Sequence, residues 1–299
     1  MLNTVSIKNF WEHLEKKSSA PKYVTKINIV QFKDLKKKAD IKEEFYIKNI
    51  IKKMYKGEAF IVRNAAKKNL KEITVKLAKY YDKKEKPSFH KMLDGTPNFH
   101  RIINQKIAKK YSLYAIRHSY FLYNWNIKTK LQKQFKDGVY NHWRYVKFLA
   151  GNGKYQYEKN IPSQNQIDRL QIVNYPRGGG ELRDHVDPRK NQRVVSGLIM
   201  SKVGEDFNSG GFYFRDKNYK KINVENQLEV GDSVMFYGSI VHGVDMIDKN
   251  RKIDWKSHKG RWFIGMFVND SNHVKERITA SDLTGSVNLK KFARKNKTA

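Results

Sequence analysis

In the first half of the chain, apolar residues recur mostly at three- and four-residue intervals. In the second half they gather in short runs cut by turns. The helical spacing covers 41–55, 70–81 and 131–148, and the lysine-rich stretch 1–56 reads as mostly helical. Two strand signals interrupt it: the buried run Glu58-Ala59-Phe60-Ile61-Val62-Arg63-Asn64 and the aromatic run 119–125. Pro, Ser and Gly mark 86–94 as a loop, and 151–166 is polar and loop-like. After Asp168 the texture changes. Strand-like runs at 169–175, 193–200, 211–214, 233–237 and 261–268 are separated by Gly178-Gly179-Gly180, Asn208-Ser209-Gly210-Gly211 and Gly231-Asp232. Many short strands with frequent turns predict an antiparallel jelly roll, so the expected class is α+β with a helix-rich N-terminal region. The expected boundaries are a basic helical extension at 1–56, a main domain at 57–285 and a basic tail at 286–299.

Charge sharpens this division. The chain carries 61 Lys+Arg against 29 Asp+Glu, a formal net of +32 over 299 residues. Residues 169–270 hold 17 basic and 13 acidic side chains, so most of the excess lies outside the β-rich segment. Such a surface attracts nucleic acid, anionic lipid or anionic small molecules. It equally fits a solvated lysine-rich exterior, and no motif for groove or base recognition accompanies it. The absence of cysteine excludes disulfides, thiolate zinc sites and cysteine nucleophiles. Any metal must bind through His, Asp or Glu. No run is long enough to span a bilayer, and the start lacks a signal-peptide core, so a cytoplasmic protein is expected.

His185 and Asp187 stand two residues apart in a strand-like context, and strand neighbours at that spacing point to one face. With His242 they make two imidazoles and one carboxylate. This donor set suits non-haem Fe(II) and leaves coordination positions open. A lone His-x-Asp pair is weak, but here it follows Asn174-Tyr175-Pro176-Arg177-Gly178-Gly179-Gly180. It precedes the Gly210-Gly211 strand, the Gly231-Asp232 turn, His242 and the strand opened by Arg261.

In these ordered motifs the chain resembles the Fe(II)/2-oxoglutarate-dependent oxygenases, particularly the prolyl-4-hydroxylase-like branch, over about 169–270. The ten-residue separation of Tyr175 from His185 matches that branch. The resemblance implies a double-stranded β-helix core and a dioxygenase that uses Fe(II), O2 and 2-oxoglutarate as cosubstrate, releasing succinate and CO2. It implies that His185, Asp187 and His242 hold the metal, that Arg261 clamps the distal carboxylate of 2-oxoglutarate, and that Tyr175 helps bind it. The carboxylate at Asp187 favours hydroxylation over halogenation. The gap from His242 to Arg261 is longer than in the branch, so 245–259 reads as an inserted loop and Arg251 is a rival clamp. Met200 stands where a cosubstrate-binding tyrosine is common.

Selectivity is expected from outside the final strands. Arg169 and Gln171 alternate with Tyr175 on one strand face and are candidate substrate contacts, with His100 and Tyr123 beside them. The favoured reading is a hydroxylase acting on a small anionic metabolite or glycoconjugate. The alternatives are a peptidyl-prolyl or other protein hydroxylase and, behind it, a nucleic-acid-binding oxidative demethylase.

Overall fold

The computed structural model describes residues 2–111 and 113–283. The tail at 286–299 lies outside the described residues. The N-terminal third forms α1 (Thr4–Lys17), β1 (Lys26–Gln31), α2 (Phe32–Asp40), α3 (Glu44–Tyr55), β2 (Glu58–Arg63) and α4 (Leu70–Lys84). Next come β3 (Phe99–Ile103), a short α5 (Gln105–Ala108), β4 (Ala115–Tyr123) and the long α6 (Lys130–Leu149). The β-rich part comprises β5 (Gln166–Pro176), β6 (Gly180–Val186), β7 (Val194–Ile199), β8 (Gly211–Arg215) and β9 (Lys221–Asn223). It ends with β10 (Ser233–Tyr237), β11 (His242–Ile247), β12 (Gly260–Asp270) and β13 (Ser281–Asp282).

The strands run in the order β1-β2-β10-β7-β12-β5-β4-β6-β11-β8-β9, with β3 on β4 and β13 on β6. The sheet curls into a half-barrel of the jelly-roll kind in a mixed α+β chain. Its corner is β4, which pairs β5 through 118–123 and β6 through 115–116. One wall holds β12 against β5 in an unbroken antiparallel register from Gly260↔Pro176 to Asp270↔Gln166. The opposite wall holds β6, β11, β8 and β9.

Residues 1–56 are mostly helical, as expected, but they also hold one strand. β1 lies parallel to β2 and extends the larger wall, with Lys26, Ile29 and Gln31 exposed as befits an edge. The helices cover the outer face of that wall. α6 begins where Thr129 and Gln132 cap it reciprocally, and Gln132 Nε2 then donates to the Tyr81 hydroxyl of α4 (2.9 Å). Lys147, in its last turn, donates to Asp168 (2.7 Å) in a fully buried pair that fixes the entry to β5.

His142 of α6 reaches through to the sheet, its Nε2 lying 3.1 Å from Ser196 Oγ and 3.0 Å from Ser233 Oγ. Burial pushes its pKa down to about 3. The folded chain therefore keeps this imidazole neutral, while the unfolded chain protonates it near its ordinary value of about 6.5. The associated stability is complete above that value and is lost as pH falls from there towards 3, at about 1.4 kcal/mol per pH unit. Urea unfolding at pH 7, 6 and 5 should show a shallower acid loss in His142→Phe. An unchanged slope would contradict the assignment.

Candidate metal centre

The register of the smaller wall builds the centre. His242 opens β11 directly opposite His185 of β6, so the two imidazoles project side by side from one face, ring centroids 4.1 Å apart. Asp187 lies one residue past the end of β6, where its N–H donates to the Gly238 carbonyl (2.9 Å). That bond holds the carboxylate on the same side as His185, with Oδ2 3.4 Å from His242 Nε2. One ligand atom from each of the three residues lies within 4.8 Å of the others.

Tautomers are set by the strands themselves. His185 Nδ1 lies 2.9 Å from the Arg183 carbonyl, and His242 Nδ1 lies 2.9 Å from that of Ile240. A carbonyl only accepts, so both Nδ1 atoms carry the proton and both Nε2 lone pairs are free for a metal. Burial, reinforced by His242, pulls His185 down to about 4 and keeps it neutral. Burial pushes the Asp187 carboxyl up, but the adjacent His242 and His185 and the Arg117 guanidinium outweigh it. Its pKa stays below the usual value. Two imidazoles with Nε2 turned to the site and an ionised carboxylate fit Fe(II) as a facial set.

These residues line a cavity of ≈ 340 Å³ between the two walls. A second cross-strand pair, Arg261 opposite Tyr175, enters it from the larger wall. Arg261 is 2% exposed, and its Nε donates to Glu225 Oε2 (2.7 Å), which also accepts from the Phe212 amide (2.6 Å). Glu225 can come this close only because Gly211 has no side chain. A Cβ there would stand 2.4 Å from Glu225 Cγ, and Gly211 adopts φ +113°.

Of the other residues singled out from sequence, Arg169 and Gln171 line the cavity, bonded to each other (3.1 Å). Arg251 does not. It sits in a surface cleft with Arg177, Lys252 and Lys259, on the loop between β11 and β12. Met200 is buried outside the cavity lining. His100 faces the helices. Arg101 pairs opposite Ser119 and points inward, so its neighbour His100 points outward, 3.0 Å from His118 Nδ1 and from Asp82 Oδ1. Tyr123 pairs opposite Arg169 and shares its face, but it is buried against Met92, Phe99 and Trp125 and is not among the residues that line the cavity. Four charged residues beyond those singled out bear on the cavity: Glu225 by holding Arg261, and Arg101, Arg117 and Arg277 by lining it. Arg117 shares a strand face with Phe121, so a period-two reading begun at Ala115 finds it. Arg277 comes from an irregular segment with no local signal.

Among the described residues, no helix is long and apolar enough to cross a membrane. No protein-family model matches the sequence, and no curated protein does. Among solved structures, the chain is similar to a Pseudomonas putida prolyl-4-hydroxylase. The match has 12% identity and TM-score 0.44, covering 70% of this chain and 91% of that one. It is also similar to a full-length Neurospora crassa protein solved in complex with alpha-KG and thymine. Here identity is 14% and TM-score 0.49, with 83% and 86% of the two chains covered. A third similar structure is JOX2 in complex with 2OG, Fe and JA, at 13% identity and TM-score 0.45, covering 95% and 86%. The donor set of His185, Asp187 and His242 stands independently of these likenesses.

Proposed function

We propose that this chain is an Fe(II)- and 2-oxoglutarate-dependent oxygenase that hydroxylates a small anionic metabolite or glycoconjugate. The observation that carries the reading is the pair of opposed histidines. Each spends Nδ1 on a carbonyl of its own strand segment, and Asp187 completes the face at a cavity that also holds a buried arginine.

His185, Asp187 and His242 would hold the metal. With 2-oxoglutarate and O2 bound, it would supply oxidative decarboxylation, yielding succinate and CO2 and placing one oxygen atom on the substrate. The remaining steps belong to the chain. Arg261 keeps its two terminal nitrogens for the distal carboxylate, because Glu225 occupies Nε and fixes the guanidinium plane. Tyr175 presents its hydroxyl to the carboxylate nearer the metal. The apolar wall from Phe212, Phe236 and Phe263 limits water at the reacting face.

The purified chain with Fe(II), ascorbate and 2-oxoglutarate should form succinate slowly without substrate, and EDTA should stop it. Succinate formation that persists in EDTA, or none at all together with no uptake of Fe(II), would refute the reading.

A further inference from the structure

Four arginines outside the metal centre and the Arg261–Tyr175 pair converge on the same cavity from four separate segments. Arg101 comes from β3, Arg117 from the corner of β4, Arg169 from the start of β5, and Arg277 from the segment after β12. Among the described residues none of them pairs with a carboxylate, and their partners are neutral. Arg117 lies 3.4 Å from the Tyr175 hydroxyl, Arg169 donates to Gln171 Oε1, and Arg277 donates to the Asp270 carbonyl (2.8 Å). Nε of Arg117 and Nε of Arg169 are buried with no hydrogen-bond partner.

Aromatic rings hold the cluster in place without neutralising it. The Arg169 guanidinium lies 5.3 Å from the Phe121 ring centre and 5.1 Å from that of Phe267. Arg101 lies between Phe89 (4.3 Å) and Tyr111 (4.5 Å). Unpaired cations gathered in a half-dry cavity destabilise one another and the fold. Burial and the neighbouring guanidiniums pull Arg169 down to about 10, and burial with Arg117 lowers Arg101. Such an arrangement is favourable once an anion enters.

Charge counting says how much anion. Asp187 is the sole carboxylate lining the cavity among the described residues, and Arg261 is already matched by Glu225. Fe(II), the Asp187 carboxylate and a 2-oxoglutarate dianion together leave one negative charge. Four guanidiniums therefore exceed the filled metal centre by three positive charges. A singly charged ligand leaves most of that excess in place.

We propose that Arg101, Arg117, Arg169 and Arg277 form the substrate-binding site, and that the substrate is a multiply charged oxyanion, a phosphate monoester or a dicarboxylate, on an apolar body. The apolar body is assigned from Leu113, Phe121, Phe267 and Val268, which line the cavity among these arginines. The identification of this anion as the substrate rests on the oxygenase reading above; the anion site itself does not.

The test uses the full chain in EDTA without 2-oxoglutarate, so that a failure of the iron assignment leaves it untouched. Calorimetric titrations compare phenyl phosphate, phthalate and benzoate. Phenyl phosphate or phthalate should bind at least tenfold more tightly than benzoate, and the tighter of the two identifies the source of the charge. Arg117→Gln and Arg169→Gln should each weaken that binding tenfold or more. Arg277→Gln, outside the sheet, should do the same if either strand variant fails to fold. The surface variant Arg251→Gln should bind as wild type. Benzoate binding as tightly as both dianions, or undiminished affinity in the folded arginine variants, would overturn the proposal.

Discussion

His185→Ala is expected to reduce Fe(II)-dependent conversion of 2-oxoglutarate to succinate to background. Loss of an outer partner of a metal ligand costs roughly 10–100-fold in affinity or activity, and loss of a ligand itself costs more. Two donors would remain, Asp187 and His242, and neither can move into the missing position. Asp187 is tied to Gly238 through its backbone, and His242 to the Ile240 carbonyl through Nδ1. The fold should survive, since the substitution removes one buried ring and the β6–β11 pairing rests on backbone bonds. The readouts are iron per chain after desalting, which should fall well below that of wild type, and succinate formation. A near-wild-type unfolding midpoint separates loss of metal from loss of fold. Wild-type turnover in this variant would sink the iron assignment.

Much of the sheet was legible because its strands announce themselves locally. The runs that became β7, β8, β10 and β12 are apolar and bounded by Gly, Asn or Asp, and the observed ends lie within two residues of the predicted ones. β1 was not legible. Its sequence, Lys26-Ile27-Asn28-Ile29-Val30-Gln31, buries little because it is an edge, and a half-exposed strand among lysine-rich helices leaves a weak alternation. β4 extends four residues before its predicted start, because its aromatic signal begins only at Ser119.

The site divides along the same physical line. His185 and Asp187 are related by a local two-residue period, which sequence displays. The pairings His185↔His242 and Arg261↔Tyr175 depend on registers between distant strands, and only the ordered motifs of a known family pointed to them. Arg169 and Gln171 followed from alternation with Tyr175 on β5. His100 illustrates the cost of one residue: it and Arg101 are adjacent, so only one can face the cavity. Its imidazole joins Asp82, Tyr120 and His258 on the helix-covered side instead.

Arg261 should reveal two roles that separate on substitution. Arg261→Met removes the cation beside Glu225, a carboxylate 1% exposed whose other contact is the Phe212 amide. Leaving a buried charge uncompensated costs about 3–5 kcal/mol, so this variant should unfold at markedly lower urea concentration. The double variant Arg261→Met with Glu225→Gln removes that charge while keeping a carbonyl oxygen for the amide, and should recover most of the stability. It should not recover 2-oxoglutarate binding, measured calorimetrically with Mn(II) in place of iron. Arg261→Lys keeps one positive charge, but a single ammonium cannot meet Glu225 and also present two parallel donors to a carboxylate. Its affinity for 2-oxoglutarate should fall tenfold or more, with a smaller loss of stability than in Arg261→Met. Arg251→Gln, measured alongside, should change neither quantity, because its side chain belongs to the surface cleft. If the stable double variant bound 2-oxoglutarate like wild type, the distal carboxylate would have to be held elsewhere. The free guanidinium of Arg117, beside Tyr175, would then be the cation to test.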